Sequence, residues 1–331
     1  MTKDSAEQKV TRGLLHALAK KHISKECLER SLVLSGFLPD KNAWYTFIHV
    51  FFLLLGITLV LTGISFFFAY NWSSLHKFAK LGIVQLGILA CLGGVLYKGL
   101  DSLVGKALLF AASVLVGTFL AVFGQIYQTG ADAYELFVGW FFFIIGWTAI
   151  SNNTGLCFLS LLILNLAIVL GMVQTGRVDR PWEWCFLFEI LCAIQFLPLL
   201  VWESFSSRLE WMRVRWFPRI LVFALLYFLV FPVMIYIFSR TPEDRQYLSV
   251  QIAPLLYGSF TAFLFYFYQY KKQDLSILTM NCIALIIVVS CSFGKFLVDS
   301  IHDVIFLSIL VIVQASLASI WLRKVWKKWT M

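Results

Sequence analysis

Ten apolar runs of spanning length dominate this sequence, and this feature limits the fold more than any other. A helix needs about 20 mostly apolar residues to cross roughly 30 Å of hydrocarbon. The runs are approximately Thr46–Ala69, Leu81–Tyr97, Ala107–Gly124, Ala133–Ile150, Gly155–Val173, Trp184–Trp202, Ile220–Phe238, Val250–Tyr270, Leu275–Phe293 and Val304–Leu322. We predict an all-α, polytopic transmembrane bundle over residues 44–322, with about ten spanning helices.

Composition supports the same class of protein. The chain is 60% hydrophobic and only 14% charged, and its mean hydropathy is +0.83. A water-soluble domain of this size needs far more charged surface. Two boundaries depend on very short breaks, at residues 151–154 and 271–274, so that nine or eleven spans are alternatives to ten.

Basic residues indicate the orientation of the spans. With the N-terminus inside, the cytoplasmic segments hold 20 of the 27 Lys and Arg residues and the other side holds seven. Because cytoplasmic loops carry the excess of Lys and Arg, we expect both termini in the cytoplasm. The net charge of +9 then favours anionic membrane lipids as partners over nucleic acid.

Both ends of the chain have amphipathic character. Residues 1–43 are predicted to form a cytoplasmic helical hairpin, Lys9–Lys21 and Ser24–Leu34, with Ser24 as the cap of the second helix. Residues 323–331 form a basic, aromatic cytoplasmic tail. We interpret the end of the chain as a membrane-surface anchor, made of Trp321, Arg323, Lys324, Trp326, Lys327, Lys328 and Trp329.

The most polar stretch lies between the third and fourth spans. Gln125, Gln128, Asp132 and Glu135 would form one polar stripe if the helix ran straight through. Thr129-Gly130 instead favours a break, in which case Asp132 and Glu135 form a capping box that needs no function. The capping box leaves the two glutamines unexplained, so both interpretations stay open.

Glu189 is the one acidic residue well inside a predicted span. A carboxylate there must be protonated, paired or solvated. Its candidate partners are Gln85, Arg177, Arg180 and the 125–135 segment. The alternative is a protonated Glu189 that only fixes packing. Four amides near mid-membrane, Asn165, Gln195, Asn281 and Gln314, are typical of hydrogen bonds between helices.

Recognised catalytic patterns are absent from the sequence. The seven cysteines and five histidines have no metal-ligand spacing, and no phosphate-binding loop or nucleophile motif occurs. We therefore expect no metal and no cofactor, and an enzyme is the least favoured class.

One segment resembles a known family. The run Phe123-Gly124-Gln125-Ile126-Tyr127-Gln128-Thr129-Gly130-Ala131-Asp132, followed by Tyr134, Leu136, Phe137 and Trp140, is similar to the signature of the bacterial domain-of-unknown-function 2157 family. The N-terminal hairpin, its His22-Ile23-Ser24 turn and the first span extend the resemblance over residues 10–150. It implies a multi-spanning protein of the bacterial inner membrane and no known activity.

Two functional hypotheses follow. The first is a transporter-like or ligand-binding membrane protein with an outward-facing polar pocket, which we predict from Gln85, Gln125, Gln128, Asp132, Glu135 and Glu189. The second is a non-catalytic membrane subunit or assembly factor that recruits a protein partner, or a second copy of itself, through its cytoplasmic ends.

Overall fold

A computed structural model describes residues 24–34, 41–71, 76–239, 246–297 and 301–330. All regular secondary structure in these ranges is helical, which confirms the predicted all-α fold. The α-helices are α1 (Lys25–Leu34), α2 (Lys41–Asn71), α3 (Lys77–Lys98), α4 (Leu103–Tyr127), α5 (Ala133–Ile150), α6 (Thr154–Gln174), α7 (Pro181–Phe205), α8 (Trp216–Phe238), α9 (Leu248–Tyr266), α10 (Leu275–Leu297) and α11 (Ile301–Thr330). A 3₁₀ turn covers Glu210–Arg213 and a π-helical turn, Phe267–Lys271, follows α9.

Ten helices in the described ranges, α2 to α11, are long and apolar enough to cross a membrane. The predicted number of spans is therefore confirmed. Both short breaks are real. Asn153 caps the helix that follows the first break. Its side chain accepts a hydrogen bond from Gly155 N at 3.1 Å at the start of α6. Asp274 ends the second, because its Oδ1 accepts from Ser276 N at 3.1 Å at the start of α10.

The chain divides into two units, and α1 and α2 belong to the first. Ser24 Oγ accepts a hydrogen bond from Cys27 N at 3.3 Å, which confirms Ser24 as the cap of the second predicted hairpin helix. The first, Lys9–Lys21, lies outside the described residues. α2 has 31 residues and is apolar over most of its length, as a span requires.

The second compact unit begins at His76, and its first part consists of α3 to α6. The small residues Ser113 and Gly117 of α4 admit a bulky neighbour. The Trp140 indole of α5 lies against Gly117, and its Nε1 donates to the carbonyl oxygen of Ser113 at 2.7 Å. Small residues let helices approach closely in a membrane, where packing drives association.

The second part of this unit is built around α8, which packs against α7, α9 and α10. Its core holds large apolar side chains from all four helices, including Trp202, Phe217, Leu225, Leu264 and Ile277. Three of the four mid-membrane amides join helices here, as the sequence indicates. Gln195 Nε2 donates to Asn165 Oδ1 at 2.9 Å, and Asn281 Nδ2 donates to the Thr261 carbonyl at 3.0 Å.

The basic, aromatic tail is helical. α11 continues through Leu322 to Thr330, and Trp321, Val325 and Trp329, which recur every four residues, pack on the bundle. Trp329 Nε1 donates to the Gln269 carbonyl at 3.2 Å. Trp326 and the cations Arg323, Lys324, Lys327 and Lys328 are exposed. Their contact with a membrane surface stays a prediction.

The contact between Gly117 and Trp140 gives a test of the packing. A Cβ at position 117 would lie 2.5 Å from Trp140 Cε2, so we expect Gly117→Ala to destabilise the protein by about 1–3 kcal/mol through overpacking. Gly146→Ala is the matched control on α5, because nothing lies within 4 Å of its added methyl group. It should be neutral or stabilising by up to about 1 kcal/mol. Thermal unfolding in detergent measures both, and equal stability of the two variants would contradict this packing.

Candidate functional site

Glu189 lies in a cavity between α7, α8 and α9. The cavity has a volume of about 170 Å³. Its walls are otherwise almost entirely apolar, and the lining residues are Glu189, Cys192, Ala193, Phe196, Phe228, Leu229, Pro232, Ala253, Leu256 and Phe260. The volume is below the roughly 300 Å³ at which drug-sized pockets begin, so a ligand of this cavity is small.

The carboxylate of Glu189 has an unsatisfied oxygen. Oε1 is buried and has no hydrogen-bond partner among the described residues. An isolated carboxylate in an apolar environment is strongly unfavourable, so it either holds a proton or pairs with a cation. The cavity is therefore lined by a carboxyl group that requires a proton or a positive charge.

Aromatic rings complete the cavity. Phe196 and Phe260 meet edge to face, with ring centroids 4.8 Å apart, and Phe228 lines the same space. The face of an aromatic ring is negative and attracts cations within about 6 Å. Pro232 also lines this space, and as a proline inside α8 it supplies no N–H to the carbonyl of Phe228, four residues earlier. A carboxylate beside three aromatic rings favours a cation.

The other predicted pocket residues lie elsewhere. Gln125, Gln128, Asp132 and Glu135 are all exposed at the turn between α4 and α5. The helix breaks there as Thr129-Gly130 predicts, with Gln128 in the left-handed region at φ 43°. Asp132 occupies the N-cap position of α5, but its side chain makes no capping hydrogen bond. The capping-box interpretation is therefore wrong for this turn.

Gln85 is also exposed, on α3. Neither it nor Arg177, Arg180 or the 125–135 segment lines the Glu189 cavity. Of the six residues predicted to share a pocket, the structure places Glu189 in a cavity and the other five on the surface.

A second polar feature was not predicted from the sequence. Six side chains form an ion cluster at the ends of α7 and α8, in the π-helical turn and before α10. We call this set the basic-face cluster. Its members are Glu203, Arg215, Arg219, Tyr268, Lys272 and Asp274.

Arg215 is the centre of the basic-face cluster. Its Nη1 lies 3.0 Å from Glu203 Oε1, and its Nη2 lies 3.0 Å from Asp274 Oδ2. Burial lowers the pKa of Arg215, but the carboxylates of Glu203 and Asp274 raise it by more, so the guanidinium stays charged. Tyr268 Oη donates to Glu203 Oε1 at 3.0 Å. These bonds satisfy two carboxylates that are almost fully buried.

Two cations at the rim extend the cluster. Arg219 Nε lies 3.2 Å from Asp274 Oδ2, and Lys272 Nζ donates to Ser206 Oγ at 2.8 Å. The sequence interpretation missed the cluster because it ended the sixth span at Trp202 and assigned these charges to loops. The sequence did contain a sign of the cluster. Arg215 and Arg219 lie one helical turn apart at the start of α8, so their side chains project from the same face of the helix.

The cavity and the cluster lie toward opposite ends of the same helices. Glu189 and Glu203 are separated by 14 residues of α7, which corresponds to about 21 Å along the helix. The cluster ties together the ends of α7, α8 and α10 and the π-helical turn. In the described ranges, no three His, Cys, Asp or Glu residues group as metal ligands would.

The comparisons with known proteins concern the N-terminal half of the chain. Residues 10–157 match the family model of DUF2157, described as a predicted membrane protein. This match confirms the resemblance seen in the sequence, and it includes the Phe123–Asp132 segment. The DUF2157 match ends at the start of α6, before the cavity and the cluster. No curated protein and no solved structure matches the chain.

The basic-face cluster predicts a specific loss of stability. Asp274→Asn removes the charge that faces Arg215 and Arg219, and we expect a loss of about 2 kcal/mol. This is less than the 3–5 kcal/mol typical of a broken buried pair, because the two arginines keep 30% and 41% exposure. Thermal unfolding in detergent measures the change.

Glu210→Gln is the control for this variant. It removes the exposed pair of Glu210 with Arg213, at 3.8 Å, and should change stability by less than about 0.5 kcal/mol. Equal effects of the two substitutions would show that the cluster does not hold the helix ends.

Proposed function

We propose that this protein is a ligand-binding membrane protein of the transporter type, and that its ligand is a small organic cation held at Glu189. The observation that carries the proposal is the buried, unpartnered Oε1 of Glu189 in an aromatic cavity. An ammonium group without strong hydration suits such a site, because carboxylate and ring faces replace the water that it loses.

Charge balance supports an exchange of cation and proton. In the empty cavity the carboxylic acid keeps its proton, since an apolar site disfavours a bare anion. When the cation enters, the O–H bond breaks, the proton leaves to water, and the carboxylate pairs with the cation. The site stays neutral at both stages, as a position within a membrane requires.

We also infer an orientation in a bacterial inner membrane. The ends of α7, α8 and α10 that carry the basic-face cluster would face the cytoplasm, together with both termini. Glu189 is eight residues from the start of α7, or about 12 Å. The cavity would then lie nearer the outer surface.

Binding of tetramethylammonium to the purified protein in nanodiscs tests the proposal. Glu189→Gln should lower the affinity at least 10-fold, because a neutral amide cannot balance the cation. Phe260→Leu should lower it about 2- to 30-fold, the range expected from one cation–π contact. Isothermal titration calorimetry measures the affinity. If a proton is released on binding, the observed binding enthalpy will change with the ionisation enthalpy of the buffer.

Glu135→Gln is the matched control. Glu135 is exposed at the α4–α5 turn, so its removal should leave binding unchanged. The proposal is wrong if Glu189→Gln, eluting as a folded protein, binds as tightly as wild type. The same holds if wild type shows no saturable binding.

A second candidate function is a non-catalytic membrane subunit that recruits partners. The observation that favours it is the end of α11, where Arg323, Lys324, Lys327 and Lys328 are exposed while Trp321, Val325 and Trp329 pack on the bundle. Four cations are thus held on a fixed surface, suited to anionic lipid or an acidic protein.

Replacing these four cations by glutamine tests this candidate. Co-purification of a protein partner after mild extraction should be almost completely lost relative to wild type, since each of the four cations near an anionic surface contributes about 1 kcal/mol. Glutamine at Lys77, Arg177 and Arg180, at the other helix ends, is the control. Unchanged recovery of the partner after the α11 substitutions would count against recruitment.

A further inference from the structure

One of the four mid-membrane amides, Gln314, has no hydrogen-bond partner in the described ranges. Asn165, Gln195 and Asn281 bond across or within helices, but both Nε2 and Oε1 of Gln314 are buried without a hydrogen bond among the described residues. An amide left unpaired in hydrocarbon costs several kcal/mol. Gln314 is thus a side chain of α11 whose donor and acceptor atoms both lack a partner among the described residues.

Gln314 opens onto a large cavity. The space has a volume of about 440 Å³ and lies between α9, α10 and α11. Apart from the amide the lining is almost wholly apolar, and the residues are Phe265, Cys282, Leu285, Ile286, Val289, Gln314, Leu317, Ala318 and Trp321. This volume is within the range of ordinary ligand pockets. We call this space the Gln314 pocket.

The packing of α11 explains why the space exists. α11 contacts the bundle through Trp321, whose ring centroid is 5.4 Å from that of Phe265, and through Trp329 at the basic end. Near its other end, Leu307 packs beside Gly294 of α10. α11 thus contacts the bundle on both sides of Gln314 along its length, and the pocket lies between these contacts.

Depth in the membrane limits the ligand. Gln314 is 15 residues from Trp329, or about 22 Å, and 13 residues from Ile301, or about 20 Å. It therefore lies near the middle of the span, where charged lipid headgroups do not reach. A phospholipid could place only acyl chain there, and the amide would stay unpaired.

We propose that the Gln314 pocket binds a neutral lipid alcohol, such as a long-chain isoprenoid alcohol. A hydroxyl group both donates and accepts. It would donate to Oε1 and accept from Nε2, whereas an ether or ketone can satisfy Nε2 alone. The hydrocarbon chain fills the apolar remainder. This pocket shares no lining residue with the Glu189 cavity, so the inference stands apart from the proposed function.

Radiolabelled geranylgeraniol, added to delipidated protein in detergent, is the probe. The methyl ether of the same alcohol is the matched ligand, because it accepts but cannot donate. We expect wild type to bind the alcohol at least 10-fold more tightly than the ether, since the ether leaves Oε1 unpaired. In Gln314→Leu this preference should fall to about 2-fold or less, with the ether affinity nearly unchanged.

Two further variants and one stability measurement sharpen the test. Ala318→Phe fills the pocket and should block both ligands, and it serves if Gln314→Leu does not fold. Gln125→Leu alters an exposed glutamine and should bind as wild type does. Gln314→Leu should also melt no lower than wild type without lipid, because it removes an unpaired amide.

Three outcomes would overturn the inference. One is the absence of saturable geranylgeraniol binding to wild type. Another is an unchanged preference for the alcohol in Gln314→Leu. The last is a wild-type dimer that becomes a monomer in Gln314→Leu by light scattering, which would mean that a second copy of α11 pairs with the amide.

Discussion

The cost of an unpaired polar group in hydrocarbon is the constraint on which the rest of this structure depends. Backbone groups avoid this cost by forming the hydrogen bonds of helices, which is why the described residues contain ten helices of spanning length. Side-chain amides avoid it by hydrogen bonding between helices, as Gln195 and Asn165 do. Glu189 Oε1 and the two polar atoms of Gln314 have no such partner in the part of the chain that the structure describes. Both line cavities, and this coincidence makes them the best candidates for binding.

The four-helix region around α8 differs between its two ends in how its charges are paired. At the basic end, Arg215 joins Glu203 to Asp274, so the charges are mutually satisfied and hold the helix ends. Toward the other end, Glu189 lies among aromatic rings, with no counter-charge among the residues that line its cavity. Pro232 in α8 and Pro254 in α9 interrupt the helical hydrogen bonds near this cavity. The ion cluster thus holds the helices together at one end, whereas prolines interrupt their hydrogen bonding near the cavity at the other. This arrangement is compatible with the proposed entry of a ligand from one side.

The fold could be predicted from the sequence because hydrocarbon thickness sets helix length. The ten apolar runs, the Ser24 cap, the short break at Asn153 and the small-residue face at Gly117 all follow from local pattern. Of the site, only Glu189 could be predicted, since a lone carboxylate in an apolar run can be recognised from the sequence alone. Its neighbours Phe196, Phe228 and Phe260 come from three helices and look like ordinary span residues. The basic-face cluster was hidden because Glu203 and Asp274 lie 71 positions apart, at span ends where charges are common.

The most direct test of a cation at Glu189 is a crystal structure with tetramethylarsonium, whose arsenic is located by anomalous diffraction. The cavity account predicts one arsenic peak within about 6 Å of the ring centroids of Phe196, Phe228 and Phe260, beside the Glu189 carboxylate, and its loss in Glu189→Gln. An empty cavity in wild type, or an arsenic peak that persists in Glu189→Gln, would contradict it.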